Sequence, residues 1–152
     1  ADMDRRRQIR MGEAELAGFL DGQRTLVCAT LGPGGRPHLA GLWYVPLAGR
    51  LDCWTYAASQ KARNLERDPR ATLMTETGGG YQELRGVTME CDAELVRDPE
   101  LVLDIGVALA VRYGGSTPSP ELRAALSPQA AKRVGIRFTP TRVSSWDHRK
   151  LG

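Results

Sequence analysis

Ser59, Gln60, Lys61 and Asn64 fall within one short segment, Trp54-Thr55-Tyr56-Ala57-Ala58-Ser59-Gln60-Lys61-Ala62-Arg63-Asn64, where a run of β-formers gives way to helix formers. A helix that begins there presents unpaired backbone N–H groups and the positive end of its dipole, which together suit an anion such as phosphate. Ser59 adds a hydroxyl, Lys61 a point charge, and Asn64 an amide one turn further along the same face. Lysine is scarce, with only Lys61, Lys132 and Lys150, so a lysine beside a turn is informative. The same residues also describe a capped surface helix with solvated charges, and residue types alone leave both readings open.

Other candidates are weaker. Gly32-Pro33-Gly34-Gly35 has the composition of a phosphate cradle, but it precedes a strand rather than a helix and reads as a hairpin loop. No GxGxxG opens a βαβ unit, and there is no Walker loop and no nucleophile elbow. Cys28, Cys53 and Cys91 are far apart and lie in strand-like segments, which predicts buried free thiols in a reducing cytoplasm. With only His38 and His148 and no clustered ligands, no metal site is expected. His148 reads as a solvent-facing terminal residue, and Tyr44, Tyr56 and Tyr81 as core or rim packing, so no side chain is assigned as a catalytic acid. Arg5, Arg6, Arg7 and Arg10 read as a solvated, frayed basic tail over residues 1–10. No finger, helix-turn-helix or aromatic-basic pattern points to nucleic acid.

The elements that position the segment follow from periodicity. Leu16, Phe19 and Leu20 predict a short amphipathic helix after Gly12. Strands are predicted over Thr25–Leu31, His38–Pro46 and Leu51–Tyr56, the first two forming a hairpin across Gly32–Gly35. Ser59–Asp68 is helical and stops at Asp68-Pro69. Ala71–Glu76 resumes strand. Val87, Met89, Cys91, Ala93 and Leu95 then alternate with Thr88, Glu90, Asp92 and Glu94, the mark of a strand with one wet face. Asp98-Pro99-Glu100 opens an apolar helix running to Gly114-Gly115, and Ser119-Pro120-Glu121 and Ser127-Pro128-Gln129 open two short ones. Val134, Ile136 and Phe138 form a strand, with a last β segment over Thr141–Trp146.

About six or seven strands joined mostly by hairpins make a mainly β chain, and they close most economically as a small barrel. At 152 residues, 41% hydrophobic and 26% charged with a net charge of +3, the chain reads as one soluble domain over residues 1–152. Ala1–Arg10 lacks the apolar core of a signal peptide, and Leu101–Val111 is too short to span a bilayer, so a cytoplasmic protein without membrane contact is expected.

W-T-x(3)-S-Q-K-x-x-N-L at Trp54–Leu65, followed by Arg67-Asp68-Pro69-Arg70-Ala71, resembles the flavin-binding split-barrel family of pyridoxamine 5′-phosphate oxidase and its deazaflavin-dependent relatives. The Ala29–His38 hairpin, the Tyr81–Leu95 strand and the ending from Arg133 to Lys150 match in position. The resemblance implies a split β-barrel homodimer with the cofactor in a cleft at the subunit interface. Gly41, Leu42 and Trp43 would lie along the isoalloxazine ring, Trp54 and Thr55 along ribityl or phosphate, and Ser59, Gln60, Lys61 and Asn64 around the phosphate. Trp146 would either cover the cofactor from the second subunit or fill the barrel.

Two departures from the family pattern bear on the cofactor. FMN oxidases carry Arg where this chain has Gln60, so one charge of the phosphate clamp is missing. A single lysine suits the phosphodiester of the deazaflavin coenzyme F-420 better than the phosphomonoester of FMN, with Arg63 or Arg67 left to meet its acidic tail. The ending His148-Arg149-Lys150-Leu151-Gly152 lacks the substrate-binding segment of true pyridoxamine phosphate oxidases, which argues against vitamin B6 oxidation. The expected activity is hydride transfer between coenzyme F-420 and an unsaturated small organic substrate. An FMN-dependent oxidoreductase and a non-catalytic cofactor or haem binder are the rivals.

Overall fold

Alternation along β6 (Arg85–Val96) sets the inside of the molecule, with Val87, Met89 and Cys91 buried and Glu90, Asp92 and Glu94 turned away. The computed structural model describes residues 2–152. Its other strands are β1 (Leu26–Leu31), β2 (Pro37–Leu42), β3 (Val45–Leu47), β4 (Arg50–Tyr56), β5 (Arg70–Thr77) and β7 (Arg133–Asp147). They form one antiparallel sheet in the order β2-β1-β5-β6-β7-β4-β3. The two edge strands, β2 and β3, are consecutive in the chain and joined only by Trp43 and Tyr44. Three Cα–Cα steps span at most about 11 Å, so the sheet must curl until its edges nearly meet. That is a split barrel.

Among the described residues five α-helices complete the fold: α1 (Asp2–Gln8), α2 (Glu13–Gly22), α3 (Gln60–Arg67), α4 (Pro99–Gly114) and α5 (Pro120–Ala130). The barrel interior packs Leu26, Cys28, Leu73, Val87, Met89, Ile136 and Phe138, with Phe19 and Leu20 entering from α2 and Leu65 from α3. A second cluster, Val102 and Leu103 of α4 with Val96, Ala130, Trp54 and Leu126, lies where α4 and α5 meet the sheet. Asp98 caps α4 by accepting from the Glu100 and Leu101 N–H groups, and Gly115 ends it in the left-handed conformation at φ 65°. None of the helices among the described residues is long and apolar enough to cross a membrane.

Several expectations are corrected. The basic N-terminal segment is helix α1, with Asp2 and Asp4 in its first turn and Arg5–Arg7 in its last, the order the dipole favours; Ala1 lies outside the described residues. The bond from the Asp147 N–H to the Ile9 carbonyl (2.7 Å) ties the following segment to β7. His38–Pro46 is not one strand, because the chain crosses from one sheet edge to the other at Trp43-Tyr44. Tyr81–Glu83 is a 3-10 turn, so the strand starts only at Arg85. The last two β segments are one 15-residue strand: Cys91 pairs with Pro140 and Glu90 with Arg142, so Pro140 sits at a bulge where its missing N–H breaks no regular ladder. Ser119–Ala131 likewise holds a single helix. Pro128 comes in the last turn of α5, where it forfeits only one intrahelical bond and the Ala131 N–H still reaches the Ser127 carbonyl at 3.1 Å.

Candidate functional site

β4 carries Trp54 and Thr55 to the end of the sheet, and the chain turns at once into α3. Ser59 is the N-cap: its Oγ accepts from the Ala62 N–H at 3.1 Å, and the Thr55 hydroxyl donates to it at 3.2 Å. The Arg63 N–H reaches the Ser59 carbonyl, which leaves the Gln60 and Lys61 N–H groups without an acceptor among the described residues. Charge sets this helix apart as well. α1, α2, α4 and α5 each carry an acid in the first turn; α3 carries none there and has Lys61 instead. A cation at that end opposes the dipole by about 0.3–1 kcal/mol, a local cost that an anion held between Lys61 and the helix end would reverse.

Lys61 lines a cleft of about 540 Å³. Gly41, Leu42, Trp43, Trp54 and Thr55 line it from the sheet, Gly106, Leu109, Ala110 and Tyr113 from α4, and Leu126, Gln129 and Arg133 from α5 and the start of β7. Lys61 and Arg133 are its only charged residues, and neither forms an ion pair among the described residues. Trp43 is 60% exposed yet held in place by a parallel stack on Tyr113, centroids 4.4 Å apart. Tyr113 is itself fixed, its hydroxyl donating to the Arg24 carbonyl at 2.8 Å and accepting from the Tyr44 N–H at 3.0 Å. Gly106 lets α4 descend onto Trp54, since a Cβ there would stand 2.7 Å from Trp54 Cη2. The result is a positive cleft with rigid apolar and aromatic walls.

The pyridoxamine 5′-phosphate oxidase profile matches residues 13–147, almost the whole chain. The chain belongs to the pyridoxamine 5′-phosphate oxidase family. Among solved structures, a conserved hypothetical protein of Mycobacterium tuberculosis is 44% identical, with a TM-score of 0.92 over 97% of this chain and 92% of that one. An F-420 reductase is 23% identical, with a TM-score of 0.66 over 84% of this chain and 94% of its own. The haem storage protein HutZ of Vibrio cholerae is 24% identical, with a TM-score of 0.68 over 86% and 92%. These two likenesses speak to the fold. None of the curated proteins matches the chain.

Of the residues that the family pattern assigns, the structure gathers Gly41, Leu42, Trp43, Trp54, Thr55 and Lys61 around one cleft, with Ser59 at the helix cap behind them. Three others are placed elsewhere. Asn64 is completely buried: its Nδ2 donates to Thr30 Oγ1 at 3.0 Å, and its Oδ1 accepts from Gln60 Nε2 at 2.8 Å and from Arg67 Nη2 at 3.2 Å. It pins α3 to β1 and does not reach the cleft. Gln60 is accordingly committed to Asn64, and Arg67 to Asn64 and the Leu31 carbonyl, while Arg63 is exposed. Trp146 lies across Gly86 with its Nε1 donating to Glu76 Oε2 at 2.8 Å, so it is not part of this cleft within its own chain.

Arg133 and Tyr113 line the cleft without having been singled out by sequence. A signal for Arg133 was present, because in Arg133-Val134-Gly135-Ile136-Arg137 the arginines must face away from the core residues Val134 and Ile136. A larger cavity of about 1140 Å³ lies between α2, the β3–β4 turn and β7. Its Arg10 and Arg50 are balanced by Glu13 and Asp21, and Arg50 is already paired with Asp52 at 2.9 Å, so it has no comparable charge to offer a ligand. The three cysteines are free and buried, and burial pushes the thiols up, Cys28 to about 11 and Cys91 to about 12, with Cys53 raised in the same way. They are thiols rather than nucleophilic thiolates near neutral pH. The Tyr44 hydroxyl is likewise pushed up to about 12 by burial and donates to the Leu20 carbonyl, a packing role.

Proposed function

We propose that the cleft holds coenzyme F-420 and that the protein is an oxidoreductase moving a hydride between this coenzyme and an unsaturated small organic substrate. The observation that carries the reading is the acid-free cleft with Lys61 at an acid-free helix N-terminus. Unsatisfied donors at one end and apolar aromatic walls at the other fit a planar ring system bearing an anionic chain. Gly41, Leu42 and Trp43 would hold the ring, Trp54 and Thr55 the ribityl chain, and Lys61 with the Gln60 and Lys61 N–H groups the phosphodiester. Exposed Arg63 would meet the acidic tail, and neutral Gln60 adds no second charge at the helix end.

When bound, such a coenzyme supplies a two-electron hydride donor, and the protein contributes position and electrostatics. The Trp43–Tyr113 stack keeps one wall rigid, and Leu109, Ala110 and Leu126 would exclude water from a ring bound in the cleft. No lining residue has to act as an acid in the strict sense.

In this reading a second copy completes the cleft. Val27 pairs with both Gly41 and Met74, and Ala29 with Leu39, so Leu39, Val27 and Met74 share one sheet face, all exposed. Gly41 belongs to this apolar face and to the cleft wall, so an isologous partner seated on the face borders the cleft. Sedimentation at micromolar concentration is expected to report twice the chain mass. Oxidation of reduced F-420 by a panel of α,β-unsaturated acceptors tests the activity: turnover supports the reading, whereas tight binding with no turnover for any acceptor supports a non-catalytic binder.

A further inference from the structure

We infer that Arg133 is a second cation of the anion subsite, supplying from β7 the charge that α3 lacks at Gln60. The inference rests on reading the cleft as a cofactor site. Its guanidinium lies over the rings of Trp54 and Tyr56, at 4.8 and 4.2 Å from their centroids. This fixes a normally flexible side chain at the cleft. Yet it makes no hydrogen bond and no ion pair among the described residues, and its Nε is buried without an acceptor. Arg112 and Arg137 also have a buried, unpaired Nε, but Arg112 spends its Nη2 on the Leu20 and Gln23 carbonyls and Arg137 faces Asp52 at 4.0 Å, whereas Arg133 meets neither an acceptor nor a counter-charge among the described residues.

Register places Arg133 at the anion end of the cleft rather than the ring end. It is the cross-strand partner of Tyr56, and the Ala57 N–H bonds to the Lys132 carbonyl at 3.0 Å, so β7 enters directly beside the turn that leads into Ser59. Lys61 and Arg133 therefore approach one end of the cleft from two different elements. A buried, unsatisfied donor destabilises the protein, and an anionic acceptor removes that cost. The ligand class that follows is an aromatic compound with a phosphate ester, gripped by a lysine at a helix end and the planar fork of an arginine.

The test is a set of fluorescence titrations of the full chain with coenzyme F-420, FMN and phosphate-free riboflavin. Arg133→Met keeps an unbranched stem against Trp54 and Tyr56 and removes the charge. It is expected to weaken F-420 and FMN by about ten- to a hundredfold while leaving riboflavin within about twofold. Arg133→Lys is expected to recover part of the loss, since the charge returns without the fork, and it carries the test alone if Arg133→Met does not fold. Equal weakening of riboflavin and FMN overturns the inference and makes Arg133 a shelf for the ring. Unchanged affinity for all three overturns it too. Should the unmodified protein bind none of the three, the cofactor reading fails instead, and inorganic pyrophosphate decides for Arg133. A saturable shift of the Arg133 Nε–H resonance, weakened by Lys61→Met, then supports the anion subsite, and no shift overturns it.

Discussion

Adding one methyl group at Gly106 sets α4 and Trp54 in competition for the same space. The ideal Cβ lies 2.7 Å from Trp54 Cη2 and 3.2 Å from Cε3. Carbon pairs rest at about 3.5–4.0 Å, so the shortfall is about 1 Å. Trp54 has little room to retreat, because its backbone is in the β4–β7 ladder opposite Gly135 and Arg133 stacks on its ring. α4 is held equally closely: a Cβ on Gly135 would stand 2.6 Å from Ile105 Cδ1. Overpacking of this kind costs about 1–3 kcal/mol, against about 0.8–1 kcal/mol regained from replacing a helical glycine by alanine. Gly106→Ala is therefore expected to lose about 1 kcal/mol net, a fall in Tm of about 2–4 °C for a chain of this size. Because Gly106 and Trp54 both line the cleft, cofactor affinity should fall with it. The assay is urea unfolding with Gly114→Ala as control, where a Cβ meets only Ser116 Oγ at 3.5 Å. If Gly106→Ala gains stability as helix propensity alone dictates, α4 is not seated on Trp54 and the cleft is built differently.

Lys61→Ala removes the proposed charge-assisted contact and is expected to weaken the cofactor by about 1.5–3 kcal/mol, roughly ten- to a hundredfold, while the cofactor-free protein melts at the same or a slightly higher temperature because the opposed dipole is relieved; unaltered affinity would put the phosphate elsewhere. Asn64→Ala should do the opposite, costing about 1–3 kcal/mol of stability by leaving buried Thr30 without its partner and cutting the tie from α3 to β1, with little direct effect on affinity. Calorimetry together with titration of that variant separates the roles, and lost affinity in a fully stable variant would return Asn64 to the site. The Arg149 guanidinium beside Asp147 holds its carboxyl below the ordinary value of 3.8, so this pair stabilises the fold above about pH 4 and the contribution is lost as pH falls through the lowered value. Asp147→Asn should accordingly lower stability at neutral pH and flatten the acid limb of a stability–pH curve, and an unchanged limb would show that the pair does not form.

What could be read from sequence follows how local each signal is. Alternation along Val87–Leu95, the Asp98 and Ser59 caps and the stop at Asp68-Pro69 depend on neighbouring residues, and all are found in the structure. Trp43-Tyr44 is different: nothing local marks it as the crossing between sheet edges, which is a consequence of closure. Pro140 and Pro128 look like stops, but one falls in a bulge and the other in a last turn, where the loss is small. Asn64 and Lys61, three residues apart on α3, part company because the barrel wall takes up the Asn64 side of the helix, and only Lys61 is left on the cleft. Arg133 was legible as outward-facing, but its convergence with Lys61 required the β4–β7 register.

The central claim is cofactor choice, and parallel fluorescence titrations of the unmodified protein with coenzyme F-420 and FMN test it most directly. The expected result is tighter binding of F-420, weakened by salt as the exposed arginine contacts are screened and weakened modestly when the glutamyl tail is shortened. Equal or tighter binding of FMN would contradict the claim and make an FMN-dependent oxidoreductase the better account of the same cleft.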